Sequence, residues 1–375
     1  MTSLLRTRHL TVGIAGIAVA AVALTGCASG AGPAGDSAAA TATSLADFGT
    51  LADLEAAAKA EGALNVIALP RDWANYGEIL DAFAAKYPEI TINEASPDVS
   101  SAEEIQAAKT NEGLDTAPDV FDLGLTVALQ NTDQFAAYQV QGWDDIPDAL
   151  KEPTGLFVGD YGGYMSIGYD SSKYPEPASL EDLLGADYTA AVAVNGDPTQ
   201  AGAAFAAVGL ANVQSGGTLD DFQPGIDFFS ELNKAGNMLK VDVTTATVAS
   251  GETPVVFDWD YLNATHVADN KAWKVRILPG TGYAAYYNQA INKNAPHPAA
   301  ARLWQEFLYS DEAQNLWLKG GARPARMEAM IAAGTIDAAA AAALPSAPDD
   351  VVVPTEKQST DAGTLLGEKW AAAVQ

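Results

Sequence analysis

Short apolar segments alternate with amphipathic ones along most of the chain, and this alternation limits the possible folds more than any other feature. Residues 64–69 form an apolar run with the length of a strand, and residues 75–86 repeat apolar side chains at helical spacing. Ser101 with Glu104 is a capping-box pattern that opens the next helix, and residues 119–123 form another strand. Strands that alternate with helices favour parallel pairing, so the sequence predicts an α/β fold.

The same rhythm returns in the second half of the chain. Apolar runs with the length of strands lie at residues 192–194, 255–257 and 273–278, and amphipathic stretches cover residues 222–235 and 298–318. We therefore expect two α/β lobes that are joined by more than one crossing of the chain.

The N-terminal residues have the pattern of a secretory signal. Arg6 and Arg8 precede the uncharged residues 10–24, and this apolar stretch is shorter than the ~20 residues that a membrane-spanning helix needs. The tetrapeptide Leu-Thr-Gly-Cys that ends at Cys27 resembles the lipobox of bacterial lipoproteins. The resemblance implies removal of residues 1–26 and a lipid on Cys27, which would anchor the protein to the membrane outside the cytoplasm. An uncleaved membrane anchor with an incidental cysteine is the alternative.

The charge of the chain excludes one class of partner. Residues 1–26 hold two arginines and no acids, so the remainder carries 18 basic and 48 acidic side chains and a formal charge of −30. Phosphate backbones and anionic lipids would repel such a chain, and we expect no nucleic-acid partner. Solubility alone can explain the acidity, and weak attraction of cationic ligands is the other interpretation.

Composition and periodicity divide the chain into segments. Residues 28–46 are mostly Ala, Gly, Ser and Thr without an apolar period, which is typical of a flexible tether. The predicted segments are a signal peptide (1–26), a tether (27–48), lobe 1 (49–165 with 286–335), lobe 2 (166–285) and a C-terminal helical tail (336–375).

Two segments resemble recurring motifs of one protein class. Residues 295–314, with a Pro-His-Pro helix start and a closing Asp-Glu-Ala-Gln, and residues 247–257 are similar to motifs of the extracellular solute-binding proteins of ABC importers. The class includes iron, polyamine and thiamine receptors, and the likeness covers about residues 50–330. It implies a two-lobed type II periplasmic-binding-protein fold, in which each lobe is a mixed sheet flanked by helices and crossing strands form the hinge. It also implies a monomer without a cofactor, which binds a small molecule and delivers it to a membrane permease with its ATPase.

Ligands of open α/β sheets bind beyond the carboxyl ends of the strands, so we expect the binding residues in the loops that follow strands. None of these residues is expected to be catalytic or to bind a metal. The candidate ligand-binding residues are Arg71, Asp72, Trp73, Tyr76, Tyr161, Thr199, Gln200, Asp258, Trp259, Asp260, Tyr261, Tyr286 and Tyr287.

The acids around Trp259 suggest a cationic ligand. If the strand at residues 255–257 continues, alternation places Asp258 and Asp260 on one face, where they would suit an ammonium group. The alternative is a helix N-terminus in which the acids only cap. The turn at Thr199 and Gln200 would suit an anion or simply start a helix.

The residues favour an organic amine or zwitterion, such as a polyamine or a thiamine-like compound. The ferric branch of the class has adjacent tyrosines after the strand at residues 255–257, where this chain has Asp260 and Tyr261, so one phenolate is missing. A ferric ion or a phosphonate remains the alternative within the class. A secreted hydrolase that uses Asp258 and Asp260 is a weaker alternative, because no catalytic motif appears and the chain after Cys27 holds only two histidines. A sensor role and an uptake role would look alike in the sequence.

Overall fold

The computed structural model describes residues 37–375, and these residues belong to one unit. The predicted signal peptide, the first part of the predicted tether and Cys27 lie outside the described residues. No helix within residues 37–375 is both long and apolar enough to cross a membrane.

Helices and strands alternate along the described chain. The helices are α1 (Ser37–Thr41), α2 (Leu51–Glu61), α3 (Tyr76–Lys86), α4 (Ser101–Thr110), α5 (Leu125–Gln130), α6 (Gly202–Gln214), α7 (Gln223–Lys234), α8 (Thr245–Ser250), α9 (Asp260–Thr265), α10 (Pro298–Leu308), α11 (Asp311–Lys319), α12 (Met327–Ala333), α13 (Ala338–Ala343) and α14 (Glu356–Ala373). The strands are β1 (Ala63–Ile67), β2 (Thr91–Ala95), β3 (Val120–Gly124), β4 (Phe135–Ala136), β5 (Val158–Asp170), β6 (Val192–Val194), β7 (Val255–Trp259), β8 (Trp273–Arg276), β9 (Thr281–Asn292), β10 (Arg323–Pro324) and β11 (Asp350–Val352).

The long strands β5 and β9 join the residues of lobe 1 to those of lobe 2. Residues 158–164 of β5 pair antiparallel with β9. From residue 165 onward β5 pairs instead with β7 on one side and β8 on the other. The other end of β9 pairs with β3, so each long strand takes part in both halves of the fold.

Both lobes contain mixed pairing. The predicted parallel pairs are present as β1 with β2 and β6 with β7. Strands β1 and β2 form a two-stranded sheet, whereas the antiparallel pairs of β3 with β9 and of β5 with β7 belong to a nine-stranded sheet that also contains β6. The prediction of an α/β architecture with mixed sheets is confirmed.

The core of lobe 1 shows why the amphipathic segments form helices. The face of α3 with Ile79, Leu80 and Phe83 is buried. The Phe83 ring lies edge-on against Trp304 and Phe307 of α10, with centroids 5.1 and 5.4 Å away. Burial of this apolar stripe, rather than helix propensity alone, holds α3 in place.

The end of the predicted tether is ordered. Ala39 and Ala42 are buried, and the buried guanidinium of Arg302 donates hydrogen bonds to the carbonyl oxygens of Ala40 and Ala42. The expectation of a flexible segment up to residue 48 is therefore wrong for residues 37–48. The composition is that of a linker, but Arg302 supplies donors that keep these carbonyl groups satisfied.

The C-terminal residues also pack more closely than a tail. Strand β11 extends the sheet by pairing with β9. Helix α14 contacts α5 of lobe 1 and α7 of lobe 2, and its Trp370 ring lies 5.5 Å from Phe229 of α7. The predicted helical tail is therefore an integral layer that contacts both lobes.

Candidate functional site

A cavity of about 570 Å³ lies between the two lobes. Lobe 1 contributes the loops after β1 and β2, the start of α4 and the side chain of Asp122 in β3. Lobe 2 contributes the loop after β6, the start of α8, the end of β7 and part of α9. The carboxyl ends of strands from both lobes therefore face this cavity, as expected for a ligand site in α/β sheets.

The side chains around the cavity are strongly acidic. Neither lysine nor arginine lines it, and His266 is the single basic side chain among the lining residues in the described part of the chain. The lining carboxyl groups belong to Asp72, Asp98, Glu103, Glu104, Asp122, Asp197, Asp242 and Asp258.

Asp122 is buried at the lobe 1 side of the cavity. Its Oδ2 accepts hydrogen bonds from the hydroxyl groups of Tyr76 and Tyr161, at 3.0 and 2.8 Å. Its Oδ1 has no hydrogen-bond partner among residues 37–375. Trp73 completes this network, since its Nε1 donates to the Tyr161 hydroxyl at 2.8 Å. Burial raises the pKa of the Asp122 carboxyl, and the hydroxyl groups of Tyr161 and Tyr76 and the nearby Gln289 amide oppose that shift.

Glu104 lies next to Asp122. Its Oε2 accepts a hydrogen bond of 3.0 Å from the backbone N–H of Asp122, and only 1% of the residue is exposed. Burial and the neighbouring Asp122 carboxyl raise the pKa of Glu104 well above its usual range. The capping box of α4 is formed by Ser100 with Glu103, not by Ser101 with Glu104 as we expected. This shift of one position leaves Glu104 available to the cavity.

Asp258 is the buried carboxyl group that lobe 2 contributes to the cavity. Its Oδ1 accepts from the Trp259 backbone N–H at 2.8 Å, and its Oδ2 accepts from Asn195 Nδ2 at 3.0 Å. Burial raises the pKa of Asp258 to about 7, and these two hydrogen bonds oppose the shift. No cation appears among the groups that influence Asp258, Glu104 or Asp122 in the described chain.

Aromatic rings form another part of the wall. Trp73 and Tyr287 both line the cavity, and their rings meet edge to face with centroids 5.7 Å apart. Tyr161 stacks behind Tyr287 at 5.6 Å. Ring faces beside carboxyl groups favour organic cations, because both attract positive charge.

The two lobes touch each other at two points. Thr245 Oγ1 donates a hydrogen bond of 2.6 Å to Asp72 Oδ2. At another point Gly124 and Gly202 meet so closely that a Cβ atom on Gly124 would lie 2.8 Å from the Gly202 Cα. These contacts define a closed arrangement of the two lobes.

Several predicted ligand-binding residues meet at this cavity. Asp72, Trp73, Gln200, Asp258 and Tyr287 line it. Tyr76 and Tyr161 lie behind it and donate to Asp122. These seven residues remain predictions as ligand contacts.

Three other predicted residues lie at a second cavity of about 60 Å³. Thr199, Trp259 and Tyr286 line this smaller space, which shares Gln200 and Tyr287 with the larger one. The Thr199 backbone N–H and hydroxyl group donate to Asp197, so the turn holds itself together without an anion.

The remaining predicted residues point elsewhere. Arg71 is on the surface and forms ion pairs with Asp81 and Glu94. Tyr261 is fully buried and stacks on Trp259.

Asp260 is separated from Asp258 by the end of the strand. Strand β7 ends at Trp259 and Asp260 is the first residue of α9, so the expected alternation stops. Asp260 instead forms a buried ion pair of 2.9 Å with Arg323. The expectation that Asp258 and Asp260 share one face is therefore wrong.

Sequence reasoning missed several residues that line the cavity. Glu104, Asp122, Asn195, Thr245 and His266 were not among the candidates. Asp122 carried a usable signal, because it is a charged residue between Phe121 and Leu123 in an apolar strand. Thr245 and His266 carried no such signal, since their approach to the cavity depends on the packing of lobe 2. Within residues 37–375 no three His, Cys, Asp or Glu side chains are grouped so that they could hold a metal ion.

Solved structures share this architecture. AfuA from Actinobacillus pleuropneumoniae, with fructose-6-phosphate bound, has a TM-score of 0.66 and 16% identity, and the match covers 84% of this chain and 98% of that one. AgtB from A. tumefaciens R10, in complex with agropinic acid, has a TM-score of 0.65 and 14% identity over 84% and 98% of the two chains. An ABC transporter substrate-binding protein from Bradyrhizobium japonicum USDA 110 gives 0.64 and 16% over 84% and 100%. The predicted two-lobed type II periplasmic-binding-protein fold is confirmed.

A family model also matches this chain and identifies the family to which it belongs. No curated protein matches this chain. The model described as "Bacterial extracellular solute-binding protein" matches residues 117–351, which include Asp122 and most of the lobe 2 side of the cavity. This family consists of receptors rather than enzymes, and it works outside the cytoplasm. The chain belongs to the bacterial extracellular solute-binding protein family.

Proposed function

We propose that the protein is the receptor of an ABC importer and that it captures a small organic cation in the cavity between its lobes. The observation that carries this proposal is a set of buried carboxyl groups at the cavity that lack a cationic partner. Glu104 and Asp122 come from lobe 1 and Asp258 comes from lobe 2. Burying a carboxylate is costly unless a positive charge or donors compensate, and a cationic ligand would supply both.

Buried acids elsewhere in the molecule support this interpretation. Three buried aspartates away from the cavity have partners on the protein itself, in the pairs Asp119 with His297, Asp170 with Lys173, and Asp260 with Arg323. The carboxyl groups at the cavity therefore differ from these three aspartates. Asp160, which is buried and does not line the cavity, also lacks a cation within the described chain and accepts from the Tyr161 backbone N–H and Gln289 Nε2. A ligand is the missing partner in this proposal.

The electrostatics disfavour an anionic ligand. Among residues 37–375, eight carboxyl groups and no lysine or arginine line the cavity that a phosphonate would enter. Its desolvated charge would be repelled by most of its surroundings. Polyamines and thiamine-like compounds, by contrast, carry the complementary charge, and the aromatic residues Trp73 and Tyr287 line the cavity that would hold them.

The positions and the pKa of the candidate tyrosines give less support to a ferric ion than to an organic cation. Of Tyr261, Tyr286 and Tyr287, only Tyr287 lines the larger cavity. Burial raises the pKa of the Tyr287 phenol, which disfavours the phenolate that a ferric ion would bind. The hydrolase alternative loses its basis, because Asp258 and Asp260 are directed to different surroundings.

Cell attachment is part of the same proposal. A lipid on Cys27 would hold the receptor at the membrane, close to a permease and its ATPase. The protein would act as a monomer, since one chain supplies both walls of the cavity.

A ligand screen by thermal shift and calorimetry tests the proposal. The panel contains 1,4-diaminobutane, spermidine, thiamine, amino acids, ferric citrate and methylphosphonate. We expect a cation to raise the melting temperature, because a ligand at a thousandfold excess over its Kd stabilises the folded state by about 4 kcal/mol. Asp258→Asn should weaken that effect, whereas Asp148→Asn, which removes a fully exposed carboxyl group, should not. Selective binding of methylphosphonate or ferric ion would contradict the proposal.

A further inference from the structure

The carboxyl groups of lobe 1 restrict the chemistry of the cation further. Resting on the proposed function, we infer that Asp122 and Glu104 bind a cationic group that carries N–H donors, such as a protonated amine or a guanidinium, and discriminate against quaternary ammonium ions. Neither residue was a sequence-predicted candidate. The inference names both the binding residues and the class of group that they accept.

The arrangement of Asp122 leaves one oxygen without a donor. Two tyrosine hydroxyls, from Tyr76 and Tyr161, converge on Oδ2. Oδ1 has no partner in the described chain, although Asp122 is only 5% exposed and lines the cavity. Buried polar atoms are nearly always hydrogen-bonded, so an unpartnered carboxylate oxygen at a cavity indicates a donor that arrives with the ligand.

Glu104 makes the site more selective for N–H groups. It lies beside Asp122 and uses Oε2 for the Asp122 backbone N–H. Two adjacent carboxyl groups can accept separate N–H bonds from one ammonium group, which has up to three donors. A quaternary ammonium has the same charge but no N–H, so it cannot satisfy Asp122 Oδ1.

The network behind the site fixes the orientation of Asp122. Trp73 Nε1 donates to the Tyr161 hydroxyl, which in turn donates to Oδ2. Tyr76 holds the same oxygen from another side. Because both hydroxyls converge on Oδ2, Oδ1 is the carboxylate oxygen that has no donor in the described chain. Tyr76 and Tyr161 are therefore positioning residues.

Three matched dications separate hydrogen bonding from charge. They are 1,4-diaminobutane, its N,N,N′,N′-tetramethyl derivative and its hexamethyl bis-quaternary derivative. The tertiary and quaternary compounds differ by one methyl group per nitrogen, but only the tertiary one keeps an N–H in its protonated form. We expect the wild-type protein to bind the tertiary dication at least about tenfold more tightly than the quaternary one, as measured by calorimetry at pH 8.

Variants then assign the discrimination to Asp122. In Asp122→Asn the amide would turn its oxygen toward the two tyrosine hydroxyls and present an N–H where Oδ1 stood. The preference for the tertiary dication should fall below about threefold. Asp98→Asn removes an acid that lines the same cavity and should keep the full preference. Tyr161→Phe, which removes one of the two hydroxyl donors, should reduce it partly.

The outcomes separate the two proposals. Equal binding of the tertiary and quaternary dications to the wild-type protein would overturn the inference and leave cation capture intact. The inference would also be overturned, with cation capture intact, if Asp98→Asn lost the preference for the tertiary dication as fully as Asp122→Asn does. Failure of every cation, including the primary diamine, to bind would overturn the proposed function together with the inference.

Discussion

Thr245 donates its hydroxyl hydrogen to Asp72 Oδ2 over 2.6 Å, and this bond links lobe 2 directly to lobe 1. Both residues line the cavity, so the bond is part of the closed arrangement rather than of either lobe alone. Asp72, which we expected to contact a ligand, therefore already has a partner on the opposite lobe. Its contribution to affinity can come from closure as well as from charge.

Replacing Thr245 with Val should shift the equilibrium toward an open form. This hydrogen bond is exposed to solvent, and the loss of its net contribution of about 0.7–1.4 kcal/mol corresponds to a roughly three- to tenfold weaker affinity for the cation found in the screen. Small-angle scattering should show a larger radius of gyration for the unliganded variant. Thr245→Ser keeps the hydroxyl and should behave like the wild type. An unchanged affinity in Thr245→Val would show that the bond does not contribute to closure.

Ligand binding should weaken as the pH falls through 7. Burial raises the pKa of Asp258 to about 7, and a cation binds its ionised form. Between pH 8 and pH 6 the affinity for 1,4-diaminobutane should fall at least about tenfold, because the ionised fraction of Asp258 alone falls by about that factor. Burial also raises the pKa values of Asp122 and Glu104, so these carboxyl groups should add to the fall. Calorimetry in buffers of different ionisation enthalpy should detect proton release at pH 7. A flat profile in the wild type would contradict the assignment, and Asp258→Asn should show a weaker dependence.

The same carboxyl group should reduce the stability of the unliganded protein at high pH. In the folded state the pKa of this carboxyl is about 7, against an ordinary aspartate value of 3.8. Between these values the folded state holds the extra proton, so stability falls as the pH rises and the cost persists above pH 7. Asp258→Asn should therefore raise the free energy of unfolding by about 1–4 kcal/mol at pH 8 and by much less at pH 4. Urea unfolding at both pH values checks this, and an equal gain at both would rule out ionisation as the cause.

A methyl group on Gly124 should keep the lobes apart. Its φ of −60° suits any residue, so the obstacle is the contact with Gly202 and not the backbone conformation. Gly124→Ala should weaken ligand binding at least about tenfold. Part of the binding energy must then repack the contact between the lobes so that it accommodates the methyl group. Gly367→Ala is the matched control, because no atom lies within 4 Å of its added Cβ and α14 should tolerate it. Wild-type affinity in Gly124→Ala would show that closure does not need this contact.

The ion pair between Arg323 and Asp260 should be costly to break. It joins β10 of lobe 1 to α9 of lobe 2, with Asp260 fully buried and the Arg323 side chain 13% exposed. Arg323→Met leaves a buried carboxylate without its cation and should cost about 3–5 kcal/mol in urea unfolding. Adding Asp260→Asn to that variant should restore part of the loss. Lys357→Met, at an exposed pair on α14, should change stability by less than about 1 kcal/mol.

The sequence allowed most of the architecture to be predicted, because apolar periodicity reports local structure. The strands at residues 64–67 and 255–257 and the helix from Tyr76 were recognisable from their own side chains. The order of residues 37–48 was not recognisable, since it depends on Arg302, which lies far away in the sequence. Likewise, the sequence did not indicate that α14 packs against both lobes, because its contacts are with α5 and α7, which lie far away in the sequence.

The candidate site was predictable in location but not in composition. The rule that ligands bind after strands led to Trp73 and Asp258, which do line the cavity. It missed Asp122, whose side chain reaches the cavity from within β3, and it left open whether the strand continued past Trp259 or a helix began there, as α9 does at Asp260. The residue at which a strand ends decides which of two neighbouring acids faces the cavity. Apolar periodicity in a sequence does not locate that end to within one residue.

Helix α14 has a consequence for the motion of this receptor. Its Trp370 packs on Phe229 of lobe 2, while Gly363 lies against Thr126 of lobe 1. A rotation of one lobe relative to the other must therefore slide or detach this helix as well as bend β5 and β9. We therefore expect α14 to limit how far the two lobes can open. Removal of residues 356–375 would allow a wider opening, although none of these residues lines the larger cavity.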